Sequence, residues 1–503
     1  MKRLLLFVAL TLQLQSHACY ADVELACLFR EGAVLQQGKS VAIWGFADPG
    51  EQVTVNFKGQ EKHAEAAQDG RWLTHLDPLA ASTEPAKLCV SGKNTLIIKG
   101  VLVGDVWLCS GQSNMNLPLS DTEGANDEIG AADYPLIHYF EVRSSILKQP
   151  ADVAEGEWQT CTPDVAGRFT AVGYYFAKAV QSELGTPIGI VKSTLGGSPI
   201  EGWMSADVLK SNPASLPAYD EWQRLDAGYE QRVAEYHVRL AEWESRAKAA
   251  RQFDENFAET KPLLAWIDSD RNLPSGLYNG FIHPLKPFTL AGILWYQGEG
   301  NTPRPKEYRI LFPQLIEQWR LDFQQPELPF LFVQLPGYAP KDDQTGESWP
   351  RFREAQAAAL KLPNVRMAVT TDIGDSEDIH PRNKKDVGQR LAQIALRSVY
   401  GRGVEDSGPV VTGVEHRGRV VLVHFANATG LKFEGDRSKL FLIAGPNKKF
   451  VSADARIDGQ NVIVSSEEVA RPVAIRMNWE NDPKGAIVNS TGLPAAPFRT
   501  DDW

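Results

Sequence analysis

The sequence predicts an α/β fold in which a parallel sheet is flanked by two β-sandwich-like modules. Three observations carry this prediction. Short alternating strands fill residues 22 to 99, apolar runs alternate with helix-like stretches from 100 to 403, and short β-like runs return from 404 to 503. Buried strands that alternate with helices form a parallel sheet, and they read as near-continuous apolar runs because both faces are covered.

Each segment has its own justification. Residues 1–21 begin with Lys2 and Arg3, continue through an apolar Leu4 to Leu14, and end in small residues at Ala18 and Ala21. This is the pattern of a secretory signal, too short to span a bilayer that needs about 20 apolar residues. Its cleavage removes two positive charges and no acid, taking the net charge from −11 to −13. The expected protein is exported, periplasmic or secreted, and no later segment is apolar enough to span a membrane. Its acidic surface repels phosphate backbones, which excludes nucleic-acid binding through bulk charge.

Residues 22–99 carry Val41–Trp44, Val53–Phe57 and Thr95–Ile98, separated by turn residues such as Asp48-Pro49-Gly50, as in a small antiparallel sandwich. Residues 100–403 carry the runs Val101–Leu108, Ile188–Val191, Ile293–Tyr296, Phe330–Gln334 and Arg366–Thr370, with helices between them. Within this domain 206–260 form a helical insertion. Trp222, Leu225, Tyr229, Val233, Tyr236, Leu240, Trp243 and Ala247 recur there at spacings of three and four, an amphipathic stripe that serves a lid or a helix packed on its own domain. Residues 404–503 are read as a second β-module. Of the five cysteines, Cys19 falls in the leader and Cys109 in an apolar strand, where it is expected as a buried free thiol. Cys27 and Cys89 lie near the two ends of one module, where export permits a disulfide. No cluster has metal-ligand spacing, and neither a metal nor a cofactor is expected.

The chemistry gathers at strand ends, where open α/β sheets place their sites. Gly104 to Met115 is a strand running into Ser110-Gly111-Gln112-Ser113-Asn114, a sharp turn suited to presenting a serine nucleophile. Ser193 to Trp203 contains Gly196-Gly197, whose backbone N–H groups can approach a ligand closely. Trp295 to Asn301 ends a strand in an asparagine whose amide can donate to an oxyanion. Thr371 to Pro381 places His380 after a run of acids, as a general base requires. Taken singly, each has a plain structural reading: an N-cap serine, a tight turn, a capping asparagine. Of the other histidines only His283 sits in a comparably unusual loop, and it is read as structural.

The order Ser, Gly, Asn, His in one α/β domain resembles the SGNH hydrolase superfamily. The wording is closer still to its sialate O-acetylesterase group of carbohydrate esterases: Val34-Leu35-Gln36-Gln37, Trp107 to Met115, Gly196 to Trp203, Trp295 to Glu299, and Asp378-Ile379-His380-Pro381 with Asn383-Lys384. The resemblance spans roughly residues 30 to 400. It implies a flavodoxin-like three-layer domain and a secreted esterase that removes acetyl groups from sugar hydroxyls without a cofactor. It gives Ser113 as nucleophile and His380 as base, with the Ser113 N–H, Gly197 of the glycine pair and Asn301 as oxyanion hole. It places the orienting acid at Asp378, with Glu377 as rival and a Ser–His dyad with a backbone carbonyl as the third arrangement.

Gln112, Glu201, Trp203, Gln297, Glu299, Gln334 and Arg353 line or brace the pocket in this reading, and Trp203 and Trp295 are candidates to stack on sugar rings. The acetylated glycan is either O-acetylated sialic acid, whose carboxylate would meet an Arg or Lys, or a hemicellulose such as xylan or xyloglucan. The 13 tryptophans lean toward the neutral glycan. The competing function is a carbohydrate-binding protein with a degenerate esterase domain; Gly-Gln-Ser-Asn-Met is not the Gly-x-Ser-x-Gly elbow of lipases.

Overall fold

A computed structural model describes residues 22–252, 257, 259–262 and 271–503. The leader at 1–21, part of the helical insertion and Cys19 lie outside the described residues.

The centre is a mixed sheet whose main path runs Trp158–Cys161, Tyr134–Glu141, Ile188–Thr194, Thr95–Gly111, Gly292–Tyr296, Phe330–Val333, Val365–Ala368. All are parallel except the edge strand Trp158–Cys161, which pairs antiparallel with Tyr134–Glu141. Numbered along the chain, the six parallel strands lie in the order 2-3-1-4-5-6. Five of them, Ile188–Thr194, Thr95–Gly111, Gly292–Tyr296, Phe330–Val333 and Val365–Ala368, by themselves keep the flavodoxin-like order 2-1-3-4-5, and Tyr134–Glu141 is added outside Ile188–Thr194. The order reverses beside strand 1, which puts a crevice at the C-terminal end of Thr95–Gly111. Both faces are covered. Phe176 of the helix Ala171–Leu184 packs on Trp107 at 4.9 Å between ring centroids. On the opposite face Phe312 and Trp319 of the helix Pro305–Asp322 pack on Trp295. This double burial is why Val101 to Gly111 reads as one apolar run, buried at every residue.

Thr95–Gly111 is 17 residues long. Its first half pairs antiparallel with Ser82–Ser91 of the N-terminal module and its second half is the central parallel strand, so the boundary expected at 99/100 falls inside one strand. The Val34-Leu35-Gln36 segment lies parallel to Leu102–Gly104. The Gln36 and Gln37 amides donate to Asp105 at 2.9 and 2.8 Å, and Gln36 Oε1 accepts from the Val106 N–H. These two glutamines thus fix where the central strand begins. One apolar core runs continuously from Val23 to Ala395, and a second, from Val421 to Ala495, belongs to the C-terminal sheets.

The insertion is helical at Ala206–Lys210, Leu216–Ala227 and Tyr229–Gln252. Its stripe is only half covered: Trp222 and Ala247 are buried, while Val238 on the outer face is open to solvent. No helix among the described residues is long and apolar enough to cross a membrane. The Cys27–Cys89 disulfide does not form. Both thiols are free: Cys27 is buried, its thiol pushed up to about 11 by that burial, whereas Cys89 sits on the strand Ser82–Ser91 between Asn56 and Ile97. Cys109 is a buried free thiol, as its strand predicts.

Candidate active site

Three strand ends and one loop converge at the crevice. The central strand ends at Gly111, whose φ of 129° is open to glycine alone, and a Cβ there would lie 2.2 Å from the Tyr296 carbonyl oxygen. The chain can therefore turn tightly against the neighbouring strand and begin the single helical turn Ser113–Asn116. As its first residue, Ser113 has a backbone N–H with no intrahelical acceptor. Across the crevice, the Ser113 hydroxyl lies 2.7 Å from Nε2 of His380. With the proton on Nδ1, the hydroxyl donates to the imidazole, the polarity a general base needs. Burial holds the His380 pKa below its ordinary value, and Asp378 opposes that shift.

The acids separate clearly. Asp378 Oδ1 is 3.7 Å from His380 Nδ1 and accepts the His380 backbone N–H at 2.8 Å. Glu377 points to solvent, 3.5 Å from Lys341. Asp375 shapes this loop by accepting the N–H groups of Glu377 and Asp378.

The glycine pair divides its work. Gly196 abuts Ser113, since a Cβ there would lie 3.5 Å from Ser113 Cβ. Gly197, with φ of 68°, faces the Arg271 guanidinium; a Cβ would come within 2.6 Å of its Nη1. Gly196 rather than Gly197 is thus the member of the pair that touches Ser113.

Asn301 is buried and its amide is fixed. Its Oδ1 accepts from the Ile200 N–H and from Gln297 Nε2, both at 2.8 Å, and its Nδ2 donates to Glu201 at 2.9 Å. Glu201 is itself paired with Arg304. One amide hydrogen of Asn301 is left for another acceptor. Gln112 braces the same loop, accepting from Gly298 and Gly300 N–H groups at 3.3 and 3.2 Å. Gln297, Gln112 and Glu201 therefore support the site from behind.

Several expected pocket residues lie elsewhere. Trp203 and Trp295 are fully buried and pack edge to face at 6.0 Å, with Trp203 Nε1 donating to Ser198 Oγ. They are core and offer no face to a sugar. Arg353 is also fully buried. It donates to the carbonyls of Leu335, Pro336, Glu480 and Asn481, tying the domain to the C-terminal module rather than lining a pocket. Gln334 is buried beneath it, its amide 3.5 Å from the Arg353 carbonyl. His283 binds the Ala151 carbonyl at 2.8 Å, away from Ser113, which fits a structural role.

Sequence reasoning assigned no role to three residues: Arg271, Asn114 and Lys384. Asn114 and Lys384 are fully buried. Lys384 Nζ donates to Asn114 Oδ1 and the Pro381 carbonyl, both at 2.6 Å, and Asn114 Nδ2 donates to Glu299 and, at 3.0 Å, to the Ile379 carbonyl. Burial pushes the Lys384 ammonium down to about 7, against the pull of Glu299 and Asp378, and raises the Glu299 carboxyl. A lysine at the first position of a helix, where the dipole disfavours a cation, was the available signal.

A hydroxyl against an imidazole, beside a glycine turn at the carboxyl edge of a parallel sheet, is the equipment of an ester hydrolase. The comparisons with known proteins agree. A family model described as carbohydrate esterase, sialic acid-specific acetylesterase matches residues 264–397. The sialate O-acetylesterase of Mus musculus is 30% identical, with 92% of each chain covered. That of Homo sapiens is 28% identical, over 92% of this chain and 90% of its own. The crystal structure of a carbohydrate acetylesterase from Xanthomonas citri superposes with a TM-score of 0.80 at 36% identity, covering 96% of this chain and all of that one. The protein is an enzyme, a carboxylic ester hydrolase. The chain belongs to the sialate O-acetylesterase family of carbohydrate esterases.

Proposed function

We propose that the protein removes acetyl groups from sugar hydroxyls through a covalent acetyl-enzyme of the SGNH type, in a three-layer catalytic domain spanning 100–403 between β-modules at 22–99 and 404–503. Ser113 Oγ attacks the acetyl carbonyl as His380 Nε2 takes its proton. The tetrahedral oxyanion is held by the Ser113 N–H, a backbone N–H of the glycine pair, with Gly196 now preferred to Gly197, and the Asn301 amide. His380 returns the proton to the departing sugar oxygen, then activates water that releases acetate. Asp378 supports the imidazolium that forms. The observation that carries this reading is the 2.7 Å contact between Ser113 and His380. It also disfavours a binding protein with a dead catalytic domain, which has no use for an intact pair. Ser113→Ala is expected to cut acetate release from a model acetyl ester by at least about 10³-fold, and undiminished release would refute the mechanism.

The acetylated glycan is a hemicellulose oligosaccharide, from xyloglucan or xylan, or an O-acetylated sialic acid. The tryptophan argument for a neutral glycan loses weight with Trp203 and Trp295 in the core, and Arg271, seated on Gly197 one residue from Gly196, is the cation a sialate carboxylate would meet. Arg271→Gln is expected to raise KM for acetylated sialosides about tenfold or more and to spare acetylated xyloglucan fragments. Equal effects on both would remove the carboxylate from the account. We further propose export on the strength of residues 1–21; the N-terminus of protein recovered outside the cytoplasm, read by mass, tests this by falling after Ala21 or not.

A further inference from the structure

His380 is not held by its acid in the way a triad histidine is. Asp378 stands 3.7 Å from Nδ1, and its Oδ1 is taken by the His380 backbone N–H. The side chain is also half open to solvent. Yet the imidazole sits at hydrogen-bond distance from Ser113, so something else must fix the loop that carries it.

The carbonyls on either side of His380 supply the anchor points. The Ile379 carbonyl accepts from Asn114 Nδ2 at 3.0 Å and the Pro381 carbonyl accepts from Lys384 Nζ at 2.6 Å. The two donors are joined to each other, Lys384 Nζ donating to Asn114 Oδ1. Asn114 directly follows the nucleophile. Its amide therefore has both hydrogens and its oxygen committed, and it couples the Ser113 turn to the His380 loop with no rotational freedom left. The far end of the chain is Glu299, whose Oε1 accepts from Asn114 and whose buried Oε2 has no hydrogen-bond partner among the described residues. Glu299 and Lys384 thus hold one amide from opposite ends, an arrangement in which each bond strengthens the next. The Tyr296 ring lies 5.5 Å from the ammonium and closes its third side.

The arrangement is costly for folding. It buries a cation at a helix N-terminus and leaves a carboxylate oxygen unpaired, features that persist where function requires them. Building on the esterase reading, we propose that Lys384, Asn114 and Glu299 form a clamp that positions His380 over Ser113 by gripping the peptide carbonyls on both sides of it, and that Lys384 is its principal positioning residue.

The test compares Lys384→Met, which removes the charge and the donors, with Lys384→Gln, which removes the charge and keeps an amide donor within reach of Pro381. Full-length purified variants are assayed on a model acetyl ester with melting curves in parallel. Lys384→Met is expected to lower kcat about 100-fold with KM within threefold, and Lys384→Gln to restore at least tenfold of that loss. Loss of the ammonium also raises the His380 pKa, so the acid limb of kcat/KM moves to higher pH in both variants. If Lys384→Met does not fold, Lys384→Gln alone decides. A kcat within threefold of the unaltered enzyme and an unmoved limb would overturn the clamp. That outcome leaves the esterase mechanism standing, because the mechanism fails only if Ser113→Ala or His380→Ala stays active.

Discussion

At the scale of single residues, His380 and its neighbours set the pH behaviour. Burial lowers its pKa and Asp378 partly restores it. A base with a lowered pKa stays unprotonated further into acid, so the acid limb of kcat/KM is expected below the ordinary histidine value of about 6.5. Asp378→Asn removes a charge that favours the imidazolium. It should lower kcat about tenfold, roughly 1.4 kcal/mol, and move that limb to still lower pH. Glu377→Gln, at a solvent-facing side chain 3.5 Å from Lys341, should do neither. A full pH profile of the two variants checks both signs, and a loss confined to Glu377→Gln would reassign the acid. The residues legible in the sequence were those whose chemistry is announced by type and place: a serine on a sharp turn, a histidine after acids. Trp203 and Arg353 stayed open between lining and bracing because type alone does not say which way a side chain faces, and burial places both in the interior. An aromatic in the turn after a strand and a guanidinium on a helix read the same whether they meet a sugar or the core.

At the scale of elements, the strand-to-turn junction at Gly111 does the most to place Ser113. The apolar run before it predicted the strand, and the Ser-Gly-Gln-Ser run predicted the turn. Neither could show that the turn closes against the Tyr296 carbonyl, because that contact joins two strands nearly two hundred residues apart. Gly111→Ala meets two penalties together: a φ that L-residues rarely adopt, and a Cβ 2.2 Å from backbone oxygen. Strain of this kind costs about 1–3 kcal/mol, and the backbone must also shift. The variant is expected to melt several degrees lower and to lose at least about tenfold in kcat, since any relaxation displaces Ser113 from His380. Unchanged melting and activity would mean that the turn tolerates a side chain. The same reasoning accounts for the parallel order. Helical and strand periodicity fixed which segments pair with helices between them, but the order 2-3-1-4-5-6 depends on crossover paths that leave no local trace.

At the scale of the whole molecule, the C-terminal module is hydrogen-bonded to the loop that carries His380. Asn481 accepts the Tyr338 N–H through its backbone carbonyl at 3.2 Å and the Trp349 N–H through its side chain at 3.0 Å. Gly337 O accepts from the Asp375 N–H at 3.1 Å, and Ser376, four residues before His380, bonds Asp482 and Lys484. The path runs from residues 480–484 of the module, through the loop at 337, to the loop of His380. Arg353 is its central tie: four carbonyls, two from each side of the domain boundary, converge on one buried guanidinium. Arg353→Met fills similar space and takes the donor from the Leu335, Pro336 and Glu480 carbonyls, while Asn481 keeps the Tyr338 N–H. Each buried unsatisfied carbonyl costs about 1–3 kcal/mol, so a loss of at least about 3 kcal/mol is expected, seen as a lower melting temperature and earlier proteolytic release of the C-terminal module. Because the module holds the His380 loop, kcat of the folded fraction should fall while KM changes little. A variant that melts early yet keeps full kcat would show that the module stabilises the fold without disciplining the catalytic loop.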